Sequence, residues 1–252
     1  MEEKEFYSTI FKRKSVRNYE SIPIDENLLT EISRFMESLN PLDPEIKTEI
    51  KIISGEHVKS LIPQKKSPHY FAVFSETKEG YLTNIGFMMQ QMDLFLSANG
   101  IGSCWQGIPK PTKEVLKSSN LDFVILMAFG NSKEDLHRTN ISQFKRKSLD
   151  EITDIKGEEQ LLEPVRIAPS ATNSQPWYFT RDNEVIHAYC KKLNFLKAKL
   201  MAKWNKIDMG IALYHLTVSV EHQGKKAEII YDKDIENNPP RGYYYIASVK
   251  IK

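Results

Sequence analysis

Three short segments concentrate the side chains that could do chemistry. The first is Lys12-Arg13-Lys14-Ser15-Val16-Arg17, with a hydroxyl between two guanidinium groups. On a helical turn Arg13 and Arg17 share a face. Two planar forks plus one hydroxyl donor suit the oxygens of a phosphate monoester, although a solvated basic surface run has the same composition. The second is Ala168-Pro169-Ser170-Ala171-Thr172-Asn173-Ser174-Gln175-Pro176-Trp177. Its prolines exclude a regular helix and set extended or turn geometry. Hydroxyls, carboxamides and free backbone groups crowd into a small space there. That suits reading the edge of a polar heterocycle and its sugar-like chain, or forming a polar turn before a strand. The third is Gly100-Ile101-Gly102-Ser103-Cys104-Trp105-Gln106-Gly107-Ile108-Pro109. Its glycines let a backbone approach a ligand closely, and Trp105 adds a flat surface for a ligand or for the core.

The elements that must position these segments come in two copies. Lys12-Arg13-Lys14-Ser15 recurs as Lys145-Arg146-Lys147-Ser148, and Glu26-Asn27-Leu28-Leu29 parallels Glu159-Gln160-Leu161-Leu162, both at a spacing of 133 residues. Further on, Asn84-Ile85-Gly86-Phe87-Met88 parallels Asp208-Met209-Gly210-Ile211-Ala212, and Asn99-Gly100 parallels Gln223-Gly224, now at a spacing of 124. A net deletion in the second copy accounts for the change. Order and consistent spacing, rather than any one match, make the case for duplication. The halves divide at 1–144 and 145–252.

Each half reads alike. A basic segment leads to a helix near Glu26 to Glu37 or Glu158 to Arg166. A strand follows, Glu49 to Ser54 or Trp177 to Thr180. A long helix comes next, with Ile85, Met88, Met89, Met92, Phe95 and Leu96, or Ile207, Ile211, Tyr214 and Val218, at helical spacing. Helices apolar over so much of their surface are buried on more than one side. Gly100 and Gly224 stand where these helices should stop. A closing strand covers Phe123 to Phe129 or Tyr243 to Ile251. Without regular β-α-β alternation, the expected fold is α+β, two similar halves each with a mainly antiparallel sheet flanked by helices. No Gly-rich dinucleotide fingerprint or P-loop is present.

Together the three segments resemble the FMN-dependent nitroreductase family over most of the chain from about Phe11 onward. The family's Arg-x-Ser-x-Arg-like start is matched by Arg13-Lys14-Ser15-Val16-Arg17. Its Pro-Ser-x-x-Asn-x-Gln-Pro-Trp loop is matched from Pro169 to Trp177 with every fixed position present, and its Gly-x-Gly-x-x-Trp turn from Gly100 to Trp105. Its basic-then-acidic closing segment is matched by Lys145-Arg146-Lys147-Ser148-Leu149-Asp150-Glu151-Ile152. The resemblance implies an FMN phosphate held by Arg13, Ser15, Arg17 and one or two of Lys145, Arg146 and Lys147, with Lys14 in the same segment. It implies a flavin-facing loop at Trp105, Gln106, Gly107 and Ile108 that offers a backbone N–H to N5. It further implies contacts to ring and ribityl chain from Pro169, Ser170, Ala171, Thr172, Asn173 and Gln175. NAD(P)H would be the electron donor, in a ping-pong cycle that ends on a nitroaromatic, a quinone or a similar acceptor.

The departures from the family's pattern sharpen this. Family members are usually homodimers with two equivalent flavin sites. Here the first half lacks the Pro-Ser-x-x-Asn loop, its place being taken by Met36 to Lys47. The second half carries Asp150 where the first has Arg17, and Lys225-Lys226 where the first has Ile101-Gly102. A carboxylate beside a phosphate repels it. The expectation is one complete site per chain, one degenerate site, and a monomer acting as a pseudo-dimer.

Bulk properties bound the rest. The chain has 252 residues, 40% hydrophobic and 27% charged, with a net charge of +2 that makes no case for nucleic-acid binding. No stretch is apolar enough for a membrane span, and the N-terminus has no apolar run of a signal peptide, so a cytoplasmic location is expected. Cys104 and Cys190 read as buried small residues rather than a disulfide or zinc site. His215 and His222 read as core or surface groups, and no dedicated acid or base is evident. Lys65 and Lys66 are weak candidates to stabilise charge near flavin N1, against a default of solvated lysines. The rival readings are an FMN-binding storage, sensing or structural protein without turnover, and dehalogenating or flavin-fragmenting chemistry on the same fold. Their loops would differ, not their framework.

Overall fold

The computed structural model describes residues 3–60 and 66–252. Its helices are α1 (Glu3–Ile10), α2 (Glu26–Glu37), α3 (Tyr81–Ala98), α4 (Lys113–Lys117), α5 (Glu159–Arg166), α6 (Phe195–His222) and α7 (Lys233–Asn237). Its strands are β1 (Thr48–Ser54), β2 (Val58–Lys59), β3 (His69–Ser75), β4 (Gly102–Gln106), β5 (Lys110–Pro111), β6 (Asp122–Gly130), β7 (Trp177–Asp182), β8 (Val185–Lys191), β9 (Ala227–Ile230) and β10 (Tyr243–Ile251).

Two four-stranded antiparallel sheets carry the fold, ordered β1-β3-β6-β4 and β7-β8-β10-β9, with β2 and β5 forming a separate ribbon. The two orders are the same pattern. In each half the last strand inserts between the second and third main strands, and helices fall in matching places: α2, α3 and α4 in one, α5, α6 and α7 in the other. The α+β fold of two similar halves therefore holds at the level of strand order. The expected elements lie where the periodicity puts them, with strands extended by a residue or two, since ladder pairing continues past the apolar run.

Local chemistry explains the boundaries. Asp25 caps α2 by accepting from the Asn27 N–H, and the helix buries Ile32. Asn99 closes α3, followed by Gly100 at φ +78, and Gly224 follows α6 at φ +75. Both glycines adopt the left-handed turn that lets a helix end. Residues 82–96 of α3 are buried throughout, as an all-round apolar helix requires.

The chain packs as two compact units. One comprises 1–11, 82–90 and 141–252; the other comprises 12–81 and 91–140. These units differ from the halves drawn at residue 144, because α1 and the start of α3 belong with second-half residues. In the first unit α6 packs against α1 and α5. There Tyr7 stacks on His222 at 3.6 Å between ring centroids, and the His215 Nδ1–H donates to the Pro164 carbonyl at 2.7 Å. Both histidines thus take core and packing roles. Gly86 and Gly210 let α3 and α6 approach within this unit. A Cβ on Gly86 would fall 2.0 Å from the Ile207 carbonyl oxygen, and one on Gly210 would fall 2.0 Å from that of Thr83. Ile207 stands 124 residues after Thr83, and Gly210 stands 124 after Gly86. The contacts are reciprocal at this spacing, so α3 and α6 approach each other through equivalent positions.

On one side of the second unit's sheet, Ile53, Tyr70, Ala72, Phe74, Leu126 and Ala128 pack with Val16, Tyr19, Val58 and Val115; on the other, Phe71, Val73, Met127 and Phe129 are buried too. In the stretch that replaces the missing loop, the Asn40 N–H donates to Gln91 Oε1 at 3.0 Å and the Gln91 amide donates back to the Asn40 carbonyl at 2.6 Å.

Candidate functional site

The segment 12–19 is extended rather than helical, which corrects the expected shared helical face. Two neighbours force this. Ser15 makes a parallel bridge to Ser103 in β4, with the Val16 N–H donating to the Ser103 carbonyl at 2.9 Å. On the other side the segment runs antiparallel to residues 131–138. The Arg138 N–H donates to the Lys12 carbonyl at 2.7 Å, Lys133 N–H to Asn18 at 2.9 Å and Glu20 N–H to Asn131 at 2.8 Å. Arg13 and Ser15 therefore meet side chain to side chain by alternation, not by a helical turn. Val16 and Tyr19 enter the core.

The cations of this segment have distinct environments. Arg13 is only 2% exposed, and its Nε pairs with the fully buried Asp93 carboxylate of α3 at 3.0 Å. Asp93 also accepts from the Ser103 hydroxyl. Arg13 donates through Nη2 to Ser15 Oγ at 3.3 Å. Lys14 faces Glu134 at 3.6 Å, and the same carboxylate accepts from the Arg17 N–H at 2.9 Å. The Arg17 side chain is exposed. Arg138, on the neighbouring segment, donates from Nη1 to the Arg13 carbonyl. Burial, then the charges of Arg13 and Arg17, push Arg138 down to about 10. Asp93 and Arg138 were not among the sequence candidates. A lone carboxylate inside the apolar stripe of α3 was the available signal for Asp93; Arg138 had none, since strand pairing brings it to the site.

The glycine-rich segment is corrected too. Gly102 opens β4, and a Cβ there would meet Val16 at 2.8 Å, so its smallness admits Val16 rather than a ligand. Gly100 serves the helix end. Trp105 lies partly buried on β4, and its buried Nε1 has no hydrogen-bond partner among the described residues. Gln106 ends the strand, and Gly107 and Ile108 form an exposed bend.

The loop at 169–176 lies in the other unit and is heavily braced. Thr172, Asn173 and Gln175 have φ of +52, +59 and +46, a left-handed region that non-glycine residues rarely occupy. Arg146 donates to the Ala168 carbonyl at 3.0 Å and to Asn173 Oδ1 at 2.7 Å, and Asn173 Nδ2 donates to the Lys145 carbonyl at 2.8 Å. Lys147 Nζ donates to the Gln175 carbonyl at 2.7 Å, while the Lys147 N–H donates to Gln175 Oε1 at 2.7 Å. Burial, then the charge of Lys191, pushes Lys147 down. Ser170 Oγ accepts from the Gln175 N–H at 3.0 Å. From α6, buried Asp208 accepts the Ala171 N–H at 3.0 Å and the Ser174 hydroxyl at 3.3 Å. Burial raises Asp208 to about 7, against the opposing pull of these hydrogen bonds. Asp208 was the missed residue here; it occupies the repeat position of Asn84, a carboxylate in a buried helix.

This bracing places Arg146 and Lys147 on the loop, with Lys145 exposed beside them. Gln175 is buried and spends its carboxamide on the protein: Nε2 donates to the Asn173 carbonyl at 3.0 Å. Pro169 is buried, Ser170 and Ala171 are half-buried, and Thr172 and Asn173 are exposed. In the second copy of the basic segment, Ser148 and Glu151 form a capping box around the short helix Leu149–Glu151. Asp150 is exposed and pairs with Lys156 at 2.7 Å. Of the two weak lysine candidates, Lys65 lies outside the described residues and Lys66 is exposed. Cys104 and Cys190 are buried and free. Among the described residues no group of His, Cys, Asp or Glu is arranged to hold a metal ion, and no helix is long and apolar enough to cross a membrane.

A family model described as "Putative TM nitroreductase" matches residues 5–220. Among solved structures, a Thermotoga maritima MSB8 protein carrying a nitroreductase description is 20% identical, with 98% of this chain and 92% of that one covered at a TM-score of 0.68. An FMN-dependent nitroreductase of Clostridium difficile R20291 is 16% identical over 54% of this chain and 93% of its own, at a TM-score of 0.44. The FMN-dependent nitroreductase NfnB of Mycobacterium smegmatis, in complex with NADPH, is 14% identical over 58% of this chain and all of its own, at a TM-score of 0.40. The Thermotoga similarity shows a shared fold over nearly the whole chain. No curated protein sequence matches.

Proposed function

The chain belongs to the nitroreductase family, and on that premise we propose that it is an FMN-dependent NAD(P)H oxidoreductase binding one FMN per chain. The observation that carries this reading is the loop at 169–176. Three of its residues are held at positive φ within a network of hydrogen bonds from Arg146, Lys147 and the buried Asp208, and such strain persists where surrounding structure over-determines it, often at ligand sites. The residues fit the cofactor in two further respects. Ser15 lies among clustered guanidinium groups, and the buried Trp105 Nε1 is a donor in want of an acceptor.

In this proposal Ser15 and Arg17 bind the phosphate, with Arg13 behind them. Pro169, Ser170, Ala171, Thr172 and Asn173 line the ring and ribityl chain. The backbone at Gln106 to Ile108 offers N–H groups to the ring edge. Arg146, Lys147 and Gln175 act through the loop they brace. When bound, FMN would supply the redox chemistry of a ping-pong oxidoreductase, with a reduced nicotinamide nucleotide as donor and a nitroaromatic, quinone or similar small molecule as acceptor. The protein's part is to bind, orient and exclude water; no side-chain acid or base is assigned. One chain suffices for one site, so the proposed active form is a monomeric pseudo-dimer.

The test is to add FMN to the purified chain, desalt, and quantify flavin and protein separately by visible absorption. One FMN per chain, bleached by NADH or NADPH and re-oxidised by a quinone, is the expected result. Two per chain would overturn the degenerate second site. Bound flavin that neither nucleotide reduces would favour a binding protein without turnover, and no bound flavin would overturn the proposal.

A further inference from the structure

α6 is longer than the repeat requires. It ends at His222 and α3 ends at Ala98, a spacing of 124, yet α6 has 28 residues and α3 has 18. The surplus therefore lies wholly at the N-terminal end, from Phe195 to Trp204, where the first half has no helix. Among the described side chains from Lys191 to Trp204 none is buried. A helix laid on a core hides one stripe fully; these turns hide none, so they stand out from the body of their unit. Phe195 is 86% exposed and Leu200 is 72% exposed. Lys191, Lys192, Lys199 and Lys206 are exposed on the same stretch, and Lys203 holds its ammonium over the Trp204 ring at 4.9 Å. Between Glu184 and Asp208 there are six lysines and no acidic residue. The whole chain carries only +2, so the remainder is net acidic and this stretch is a local concentration of positive charge.

We propose that the projecting end of α6, with Lys191 and Lys192 before it, is a docking surface for an anionic lipid bilayer. Phe195 and Leu200 enter the boundary between headgroups and acyl chains. The lysines lay their stems along that boundary and keep their ammonium groups among the lipid phosphates. Three observations select this occupant. Clustered lysines without a single carboxylate among them call for an anionic partner. The same charge argues against a second copy of this chain, because a two-fold contact sets like against like. Large apolar side chains on projecting turns need a medium that yields to them; a folded acidic protein would have to offer a fitted pocket for each, and a bilayer does not. The docking is peripheral, since among the described residues no helix is long and apolar enough to cross a membrane. The inference does not depend on the flavin reading.

The test floats the full chain with vesicles of phosphatidylcholine alone and of phosphatidylcholine mixed with phosphatidylserine. The expected result is flotation with the mixed vesicles, little with the neutral ones, and release as salt is raised. Tryptophan emission should shift to the blue on binding, and the shift should vanish in Trp204→Phe. A variant combining Lys192→Gln, Lys199→Gln and Lys206→Gln should lose about a hundredfold in partition, at about fivefold for each lysine. A variant combining Phe195→Ala and Leu200→Ala keeps every charge and should lose at least about tenfold. All five positions are exposed, and far-ultraviolet circular dichroism checks that each variant is folded. If either combination does not fold, the other carries the test. No flotation with either vesicle, equal flotation with both, or flotation that a folded variant leaves unchanged would overturn the proposal. Binding to polyglutamate but not to vesicles would overturn it in favour of an acidic protein partner. A dimer in sedimentation equilibrium that the Phe195 and Leu200 changes dissociate would overturn it in favour of a second copy.

Discussion

Gly86 and Gly210 face each other where α3 meets α6: a Cβ added to Gly210 would lie 2.9 Å from the Gly86 Cα and 2.0 Å from the Thr83 carbonyl oxygen. The obstructing atoms are backbone, which cannot swing aside. Gly86→Ala and Gly210→Ala are each expected to cost about 1–3 kcal/mol as overpacking of a tight interface. Because both relieve or obstruct one approach, the double variant should cost less than the sum of the two. Urea unfolding midpoints check this, and strict additivity would show that the glycines do not share a contact.

Asp208 gives the unit containing the loop a pH-dependent stability. Its folded value, raised to about 7 by burial, lies above the ordinary value of 3.8. Between those values the folded chain holds a proton that the unfolded chain has released. Stability therefore falls as pH rises from about 4 to about 7 and levels off above, as linkage requires. Asp208→Asn keeps an oxygen for the Ala171 N–H and removes the cost of a buried charge. Its stability should exceed the wild type most at about pH 8, less at pH 5, and converge with it only below about pH 4. Parallel pH profiles for the two proteins would count against a titrating Asp208.

Reversing charge at Arg13 and at Arg17 should have different consequences. Arg13→Glu sets two carboxylates against each other in the core. It is expected to cost about 3–5 kcal/mol, the scale for breaking a buried pair, and to lower soluble yield. Arg17→Glu is at an exposed position, so the fold should survive while FMN affinity drops. Thermal unfolding alongside FMN titration separates them; equal stability of the two variants would contradict the Arg13–Asp93 lock.

Thr172 is a β-branched residue at φ +52 with an exposed side chain. Asparagine tolerates this region better. Thr172→Asn is expected to raise stability by up to about 1 kcal/mol, read as a higher melting temperature. A lower melting temperature would show that the threonine side chain contributes more than its backbone strain costs.

Much of this protein was legible in its residues. Helices are expected near Glu26 to Glu37 and Glu158 to Arg166 and are found at Glu26–Glu37 and Glu159–Arg166; apolar spacing marked the two long helices, and Gly100 and Gly224 marked where they stop, because helical period and left-handed glycine are local properties of the chain. The paired motifs likewise announced a duplication, which the common strand order and the reciprocal Thr83–Gly210 and Gly86–Ile207 contacts express. What sequence could not supply were the partners that distance in the chain conceals. Arg13 reads in the sequence as a phosphate ligand or a solvated cation, and neither reading foresees Asp93, eighty residues away, which pairs with it in the interior. Its segment looked helical until pairing with β4 and with residues 131–138 drew it out, since backbone groups take whichever hydrogen bonds tertiary packing offers. Gly102 looked poised for a ligand and instead admits Val16. Composition and period determined which elements exist; packing of residues remote in sequence decided which charges are spent inside the protein and which, like Arg17, stay exposed.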